Sequence, residues 1–380
     1  MFVGVSLGNS FFHLAYECGR KVEVMKGLSG LSTMVSFTNE KIIIGDATNL
    51  LTNPSNTIFD LGKIIGRKYS DPIIQENLER WPFQVIQSGE DDVLFEVQFA
   101  GERKTYSPEE VLSKIFLFIL KCILKGSSYK LRDIFAMVSV PSHFTDAQRE
   151  VIINAARAIN LDVSRITNKA TSILHSLDMN LYAGEAVHFL TLFLGGSSLD
   201  ISVTTVVQYT FQLRATCGDS FGGNDLTEGL LHHVVREFHG RNAGVDIQND
   251  TQALHTLRNV CESAKKILSQ DTVAIIEVPE LQHGVDFYAE ITREQFEDVN
   301  TDYFNKIKNH LVNALQLAGL EKNEIHHLVL AGGSSHIPKV RRSVSEFFEG
   351  KDPIKTREEP ENLVAFGACY QTGSIEIKRG

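Results

Sequence analysis

The 380-residue chain is poor in cysteine, in long apolar runs and in blocks of positive charge, and each shortage excludes a class of function. Its five cysteines are Cys18, Cys122, Cys217, Cys261 and Cys369. The count is odd, no two stand in a CxxC pair, and none is spaced with histidine as a metal ligand set would be. That argues against a disulfide scaffold and a cysteine-held metal, and for free thiols in a reducing compartment. The thirteen histidines show no metal pairing either, since neighbours such as His232-His233 and His326-His327 cannot share a helix face. The most apolar helical stretch, 111–125, is interrupted by Lys114 and Lys121 and is too short to cross a bilayer. No basic segment followed by an apolar core opens the chain, so no secretory leader is expected. The formal net charge is −10 and no run of lysine and arginine stands against it, which argues against direct contact with nucleic acid or an anionic membrane. What remains is a cytoplasmic globular protein, 43% hydrophobic and 22% charged, long enough for two domains.

What is present is alternation. Short apolar runs divided by polar turns fill residues 1–50 and predict a β meander. A short helix is expected near 59–65 and two or three strands over 84–105. Ser107-Pro108-Glu109-Glu110 then opens a helix, with serine as N-cap, proline in the first turn and acids at the positive end of the dipole. Strand 134–141, helix 145–159, strand 161–166 and helix 171–181 follow. The second half predicts strands over 186–216 and 272–292, helices over 223–241, 250–270 and 292–318, a strand at 328–331, and helices at 338–348 and 362–373. Both halves begin with strand hairpins and end in strand–helix alternation, as a duplicated α/β unit with a cleft between two lobes would. Lobe I is expected over 1–182, with a small β-rich subdomain at about 35–106. Lobe II is expected over 183–380, with a small subdomain at about 223–300.

A glycine turn occurs twice between apolar strands. The first is Gly8-Asn9-Ser10, entered from Val3-Gly4-Val5-Ser6-Leu7. The second is Gly195-Gly196-Ser197-Ser198, entered from Leu190-Thr191-Leu192-Phe193-Leu194. Such turns aim backbone N–H groups at phosphate. Cleaving phosphate also calls for carboxylates that order magnesium and water, and the strand positions where they would stand hold Ser6 and Phe193.

Several stretches, collinear over nearly the whole chain, identify a family. They are Asn56-Thr57-Ile58-Phe59-Asp60 with Ile64-Ile65-Gly66-Arg67, Trp81-Pro82-Phe83, Val138-Ser139-Val140-Pro141, Leu194-Gly195-Gly196, Gly222-Gly223-Asn224-Asp225, Cys261 to Ser269, and Gly332 to Lys339. The chain resembles the nucleotide-binding (ATPase) domain of the seventy-kilodalton heat-shock, DnaK-type chaperones, and the resemblance implies an actin-like α/β fold. It also implies that the helix around Glu262, Lys265, Lys266 and Ser269 and the loop Gly332, Gly333, Ser334 and His336 hold adenine and ribose, with Glu361 completing the set. The four helix residues fall at i, i+3, i+4 and i+7 on one face. Periodicity alone favours a solvated salt-bridged face, and the resemblance reverses that reading. Lys266 and His336 stand where the family often carries arginine, which stacks better on adenine, so weaker adenine binding is expected.

The phosphate end departs further from the family pattern. Ser6 replaces an aspartate, Gly62 replaces the catalytic lysine with Lys63 one place along, Lys169 replaces a glutamate, and Phe193 replaces a second aspartate. Lys169 is open to two readings, a phosphate-neutralising cation or a surface lysine. Phe193 reads as core packing. Losing these groups together is expected to remove most of the rate enhancement. The sequence therefore predicts no catalytic residue and no enzyme but a pseudo-ATPase, binding ATP or ADP weakly or not at all, with Mg2+ absent. It would act as a co-chaperone or scaffold beside a J-domain protein or other chaperones, and at the ribosome through a partner, by analogy with Ssz-type atypical members. The alternative is a slow ATPase using Asp200, Asp219 or Lys63, and a sugar-kinase relative is a third reading. With the chain ending at Gly380, no peptide-binding domain is expected.

Overall fold

The computed structural model describes residues 1–18, 21–46, 52–125, 129–177, 185–208, 210–242, 246–248, 250–282 and 284–376. The chain divides into two compact units. The first comprises 1–186, 206–211 and 356–380, and the second 187–205 and 212–355. The expected boundary at 182/183 lies outside the described residues.

The first unit is built on strands β1 (Phe2–Leu7), β2 (Phe11–Cys18), β3 (Lys21–Val24) and β4 (Leu31–Ser32). Short strands β5 (Val35–Phe37), β6 (Ile42–Ile44) and β7 (Thr57–Ile58) make a separate small sheet. Helices α1 (Leu61–Ile64) and α2 (Pro72–Asn77) lead to a second small sheet, β8 (Gln84–Ser88), β9 (Asp92–Phe99) and β10 (Glu102–Tyr106). Helix α3 (Pro108–Leu124), strand β11 (Phe135–Val140), helix α4 (Asp146–Arg157), strand β12 (Asp162–Asn168) and helix α5 (Lys169–His175) complete the run. The main sheet has the order β12-β11-β1-β2-β3, with β4 beside β2. β1 runs parallel to β11, Val5 opposite Val138, and antiparallel to β2, Val5 opposite Leu14. Val3 to Ser6 are all buried, which fits a strand covered on both faces.

The expected cap on α3 forms: Ser107 Oγ accepts from the Glu110 N–H, and the Glu110 carboxylate accepts from the Ser107 N–H. Trp81 is stacked on Phe83 at 5.6 Å between ring centres, with its indole N–H reaching Asp60 Oδ2 at 3.4 Å. Helix α2 was not anticipated. Asp71-Pro72 reads as a turn, yet Asp71 caps the helix by accepting from the Ile73 N–H at 2.9 Å.

The second unit repeats the plan with a hairpin of β13 (Val187–Leu194) and β14 (Leu199–Val207), followed by β15 (Thr210–Asp219). Helices α6 (Gly223–Arg241) and α7 (Thr251–Ile267) precede a two-stranded sheet of β16 (Val273–Gln282) and β17 (Val285–Thr292). Helices α8 (Arg293–Val299) and α9 (Thr301–Ala318), strand β18 (His327–Ala331) and helix α10 (Pro338–Phe347) follow. β13 pairs in parallel with β18, Leu192 opposite Leu330, as β1 pairs with β11. The single helix expected over 292–318 is two, parted at the fully buried Asn300. Its Nδ2 donates to the carbonyls of Leu226 and Phe296, which holds the break against α6.

The last helix, α11 (Leu363–Glu376), corrects the expected extent of lobe II. Residues 356–380 belong to the first unit, not to 183–355. α11 packs on β1, β2, β11 and α5. A side chain at Gly4 would lie 2.0 Å from Ala365 O, and one at Gly367 would lie 1.7 Å from Ser172 O. The helix touches sheet and neighbouring helix backbone to backbone, and no periodicity in its own residues signals which sheet it will cover.

Candidate functional site

The two glycine turns close in the same way, each within its own unit. The Gly8 N–H donates to Phe11 O at 3.1 Å, and the Gly195 N–H donates to Ser198 O at 2.9 Å. Ser10 and Asn9 are fixed from behind, with the Thr33 N–H donating to Ser10 O and Thr33 Oγ1 to Asn9 O.

In the first unit, Ser6 is buried between Ser139 on β11 and His13 on β2. His13 Nδ1 lies 3.3 Å from both Asn362 Oδ1 and Ser29 Oγ, and Ser29 donates to the same Asn362 oxygen at 3.0 Å. Burial pushes the His13 imidazole below its usual range; the Asn362 hydrogen bond and the Glu361 charge oppose the shift, and the Lys169 charge adds to it. Lys169 is 2% exposed, so its reading as a surface lysine is corrected. Gly62 faces Asn9 so closely that an added Cβ would lie 1.8 Å from Asn9 Oδ1. The asparagine amide thus fills the space where a side chain at 62 would begin. Lys63 is engaged elsewhere, 3.3 Å from Asp60 Oδ2.

In the second unit, glycine backbones interlock around the second turn. The Gly223 N–H donates to Gly195 O at 2.9 Å and the Asn224 N–H to Gly196 O at 2.6 Å, so the start of α6 rests on the turn. Ser334 Oγ donates to Gly195 O at 2.9 Å. Gly332, at φ 84°, approaches Leu194 so closely that a Cβ would lie 2.3 Å from its carbonyl oxygen. Only glycine meets both the dihedral and the approach. Phe193 is buried, as expected of core packing, and its ring lies against Gly195, 2.9 Å from where a Cβ would stand. Ser197 Oγ is buried with no hydrogen-bond partner among the described residues.

The helix-face residues are brought together, with an inward-turned lysine. Lys265, 7% exposed, donates to Gly223 O at 2.7 Å, Thr227 Oγ1 at 2.9 Å and Glu262 Oε2 at 2.5 Å. Thr227 also donates to Glu262 Oε2 at 2.6 Å, and Lys266 Nζ stands 3.5 Å from Oε1. Burial alone would raise the Glu262 carboxyl, but the Lys265 charge and hydrogen bond, Thr227 and Lys266 outweigh it and hold it low. Burial lowers the Lys265 ammonium against that same partner. Ser269 Oγ donates to Lys265 O at 3.2 Å. In the Gly332–His336 loop, Gly333 and His336 are exposed, and Ser335 is buried, donating to Gly332 O at 2.7 Å. Sequence reasoning missed Thr227, Gly223, His13 and Asn362. The Gly222-Gly223-Asn224-Asp225 stretch was the available signal for the first two; nothing in spacing joins residue 13 to 362.

The Hsp70 protein family model matches residues 2–378. The chain belongs to the Hsp70 family. It is 35% identical over 380 residues to the heat shock 70 kDa protein 2 of Paracoccidioides lutzii, covering 98% of this chain and 57% of that protein. It is 36% identical over 383 residues to the heat shock cognate 70 kDa protein 3 of Dictyostelium discoideum, covering 98% and 60%. A ribosome-associated molecular chaperone of Zygosaccharomyces rouxii is 36% identical over 379 residues, covering 97% and 60%. The chain thus spans less than two thirds of these Hsp70 relatives. Its mixed α/β build is the actin-like ATPase fold that the resemblance implied.

Membership corrects the expectation of a chain that is not an enzyme. That expectation rested on four substituted positions, Ser6, Gly62, Lys169 and Phe193, whereas the Hsp70 family model spans residues 2–378 across all of them. The exclusion of Mg2+ rested on the same positions and is set aside with it. Among the described residues no helix is long and apolar enough to cross a membrane.

Proposed function

We propose that this chain is the nucleotide-binding domain of an Hsp70-type chaperone, taking ATP and ADP and hydrolysing ATP slowly. The observation that carries the reading is the interlocked second turn, where Gly195, Gly196, Gly222, Gly223 and Gly332 approach backbone to backbone. Such bare backbone lets a ligand come close to the main chain, while the Gly195, Gly223 and Asn224 N–H groups are spent on carbonyls that hold the turn in place. The orphaned Ser197 hydroxyl in the same turn fits an anion that would give it an acceptor. Glu262, kept ionised by Lys265 and Thr227, is an acceptor for ribose hydroxyls, and Lys266, Ser269 and His336 line the adenine side.

The family implies Mg2+, and the donor set here fits it sparsely. Ser6 and Phe193 offer no carboxylate; Asp200, buried and accepting from Ser202 Oγ at 3.2 Å, is the acidic group beside the second turn. Magnesium is commonly held by one or two carboxylates with phosphates and water supplying the rest, so Asp200 would hold it through its hydration shell. The ion would supply charge neutralisation for the departing phosphate.

Partners follow from the family: a J-domain co-chaperone that stimulates turnover, and a ribosomal setting like that named for the Zygosaccharomyces rouxii relative, in the cytoplasm. The test is titration of labelled ATP and ADP with Mg2+ and with chelator, followed by phosphate release with and without a J-domain protein. Saturable binding with slow, stimulated release is expected. No binding under either condition overturns the reading.

A further inference from the structure

Helices α6 and α7 of the second unit line a hollow of about 660 Å³, with Val299 of α8 also in its wall. We propose that this hollow binds a small amphipathic organic anion, its apolar body between the helices and its acid group on the Arg236 guanidinium. The hollow shares no lining residue with the glycine turns or with the Glu262–Lys265 cluster, so this ligand is distinct from the nucleotide and does not depend on it.

The volume falls within the range of about 300–1,000 Å³ found for sites that hold a single small molecule. Such sites are mostly apolar with a few placed polar groups. Here Leu231 and Val235, at i and i+4 on α6, supply apolar surface together with Leu254 of α7 and Val299. At Gly229 the wall is bare main chain. A Cβ there would lie 2.3 Å from the Oδ1 of Asn300, the buried residue that parts α8 from α9. Glycine inside a helix is less stable than alanine, so α6 gives up helix-forming strength at this wall to admit Asn300. The break in the neighbouring pair of helices and the bare wall of the hollow are thus linked.

The charge of the ligand follows from the rim. Glu228, His232 and Arg236 form an i, i+4, i+8 row on α6. Arg258 of α7 is spent on Glu228, its Nε donating to one carboxylate oxygen and its Nη2 to the other at 3.1 Å. That ion pair cancels and leaves Arg236 as the permanent charge on the rim. Arg236 Nε donates to His232 O at 3.3 Å, which lays the side chain back along α6. Among the described residues its two terminal nitrogens meet no acceptor and no carboxylate pairs with it. A guanidinium so placed offers a planar fork to a carboxylate or sulfonate. An apolar body carrying one acid group answers both the floor and the rim.

The probes are anilinonaphthalenesulfonate, an aromatic body with one negative charge, and phenylnaphthylamine, the same body without the acid group. Their fluorescence is titrated with the wild-type chain, Arg236→Gln and Leu254→Trp, each with and without excess ATP and Mg2+. The wild-type chain is expected to bind the sulfonate at one saturable site that ATP does not displace. Arg236→Gln should weaken the sulfonate about tenfold, the size of one charged hydrogen bond, and leave the neutral probe unchanged. Leu254→Trp, which fills the hollow, should weaken both probes. Absence of saturable sulfonate binding, its displacement by ATP, or a sulfonate affinity unmoved by Arg236→Gln overturns the proposal, as does equal weakening of both probes by that change. Should Leu254→Trp fail to fold, the contrast between the two probes in Arg236→Gln, a change at an exposed side chain, decides. A chain that binds the sulfonate as expected but no ATP overturns the nucleotide-binding reading and supports this proposal.

Discussion

At the level of single residues, the site is defined by side chains that answer one another. Asn9 and Gly62 are the clearest pair. Gly62→Ala alone is expected to force the Asn9 amide aside, whereas in an Asn9→Ala background the same change meets no obstacle. A double-mutant cycle by urea denaturation should show coupling of about 1 kcal/mol, and additive effects would mean that the two positions are independent. Lys265 is the second case. Its three hydrogen bonds hold Gly223, Thr227 and Glu262 together, so Lys265→Met should cost about 2 kcal/mol of stability and weaken adenosine as well as ATP. Loss of ATP affinity with adenosine unchanged would contradict that role. The residue-scale reading of the sequence found most of these groups, because glycine turns and an i, i+4 face are local patterns. It left the orientation of Lys265 and the burial of Lys169 open, since both depend on backbone that arrives from distant segments.

At the level of elements, the likeness between β1–β2–β11 and β13–β14–β18 was legible as two hairpin-led halves ending in strand–helix alternation; the parallel pairing of β1 with β11 and of β13 with β18 was not. The caps of α3 and α4 were legible too, as serine and threonine followed three residues later by Glu110 and Gln148. The break at Asn300 was not, because 292–318 keeps helical periodicity while the asparagine makes its bonds to α6, far away in sequence. The partner of α11 was equally hidden. Its packing gives a sharp expectation: Gly367→Ala, meeting Ser172 O at 1.7 Å, should cost about 3 kcal/mol. Gly240→Ala, on α6 with nothing within 4 Å, should instead gain about 0.5–1 kcal/mol from helix propensity. Denaturation midpoints of both variants check the pair, and equal effects would refute the packing account.

At the level of the whole molecule, pH acts through buried imidazoles. His175 packs on Phe211, with ring centres 4.4 Å apart, and burial, aided by the Arg165 charge, lowers its pKa to about 4. The unfolded chain therefore takes up this proton first as pH falls. The stability that His175 contributes is whole above pH 6.5 and is lost progressively between 6.5 and about 4, amounting to about 2 kcal/mol by pH 5. His13, lowered by its own burial, acts in the same sense. His175→Gln should flatten the acid side of the stability profile measured by urea midpoints at pH 7.5 and 5; an unchanged slope would rule the residue out. Family and fold at this scale were readable from collinear motifs alone. The extent of each unit was not, because sequence order conceals which late segment rejoins an early one.

That late return has a consequence for how the protein is made. Phe2, Ala15, Val22 and Val24 find Ala365, Phe366 and Cys369 as their cover. During synthesis the amino-terminal strands leave the exit tunnel hundreds of residues before the helix that shields them is translated. A nascent chain paused ahead of residue 363 carries an oily flank that stays bare until residues 363–376 have emerged.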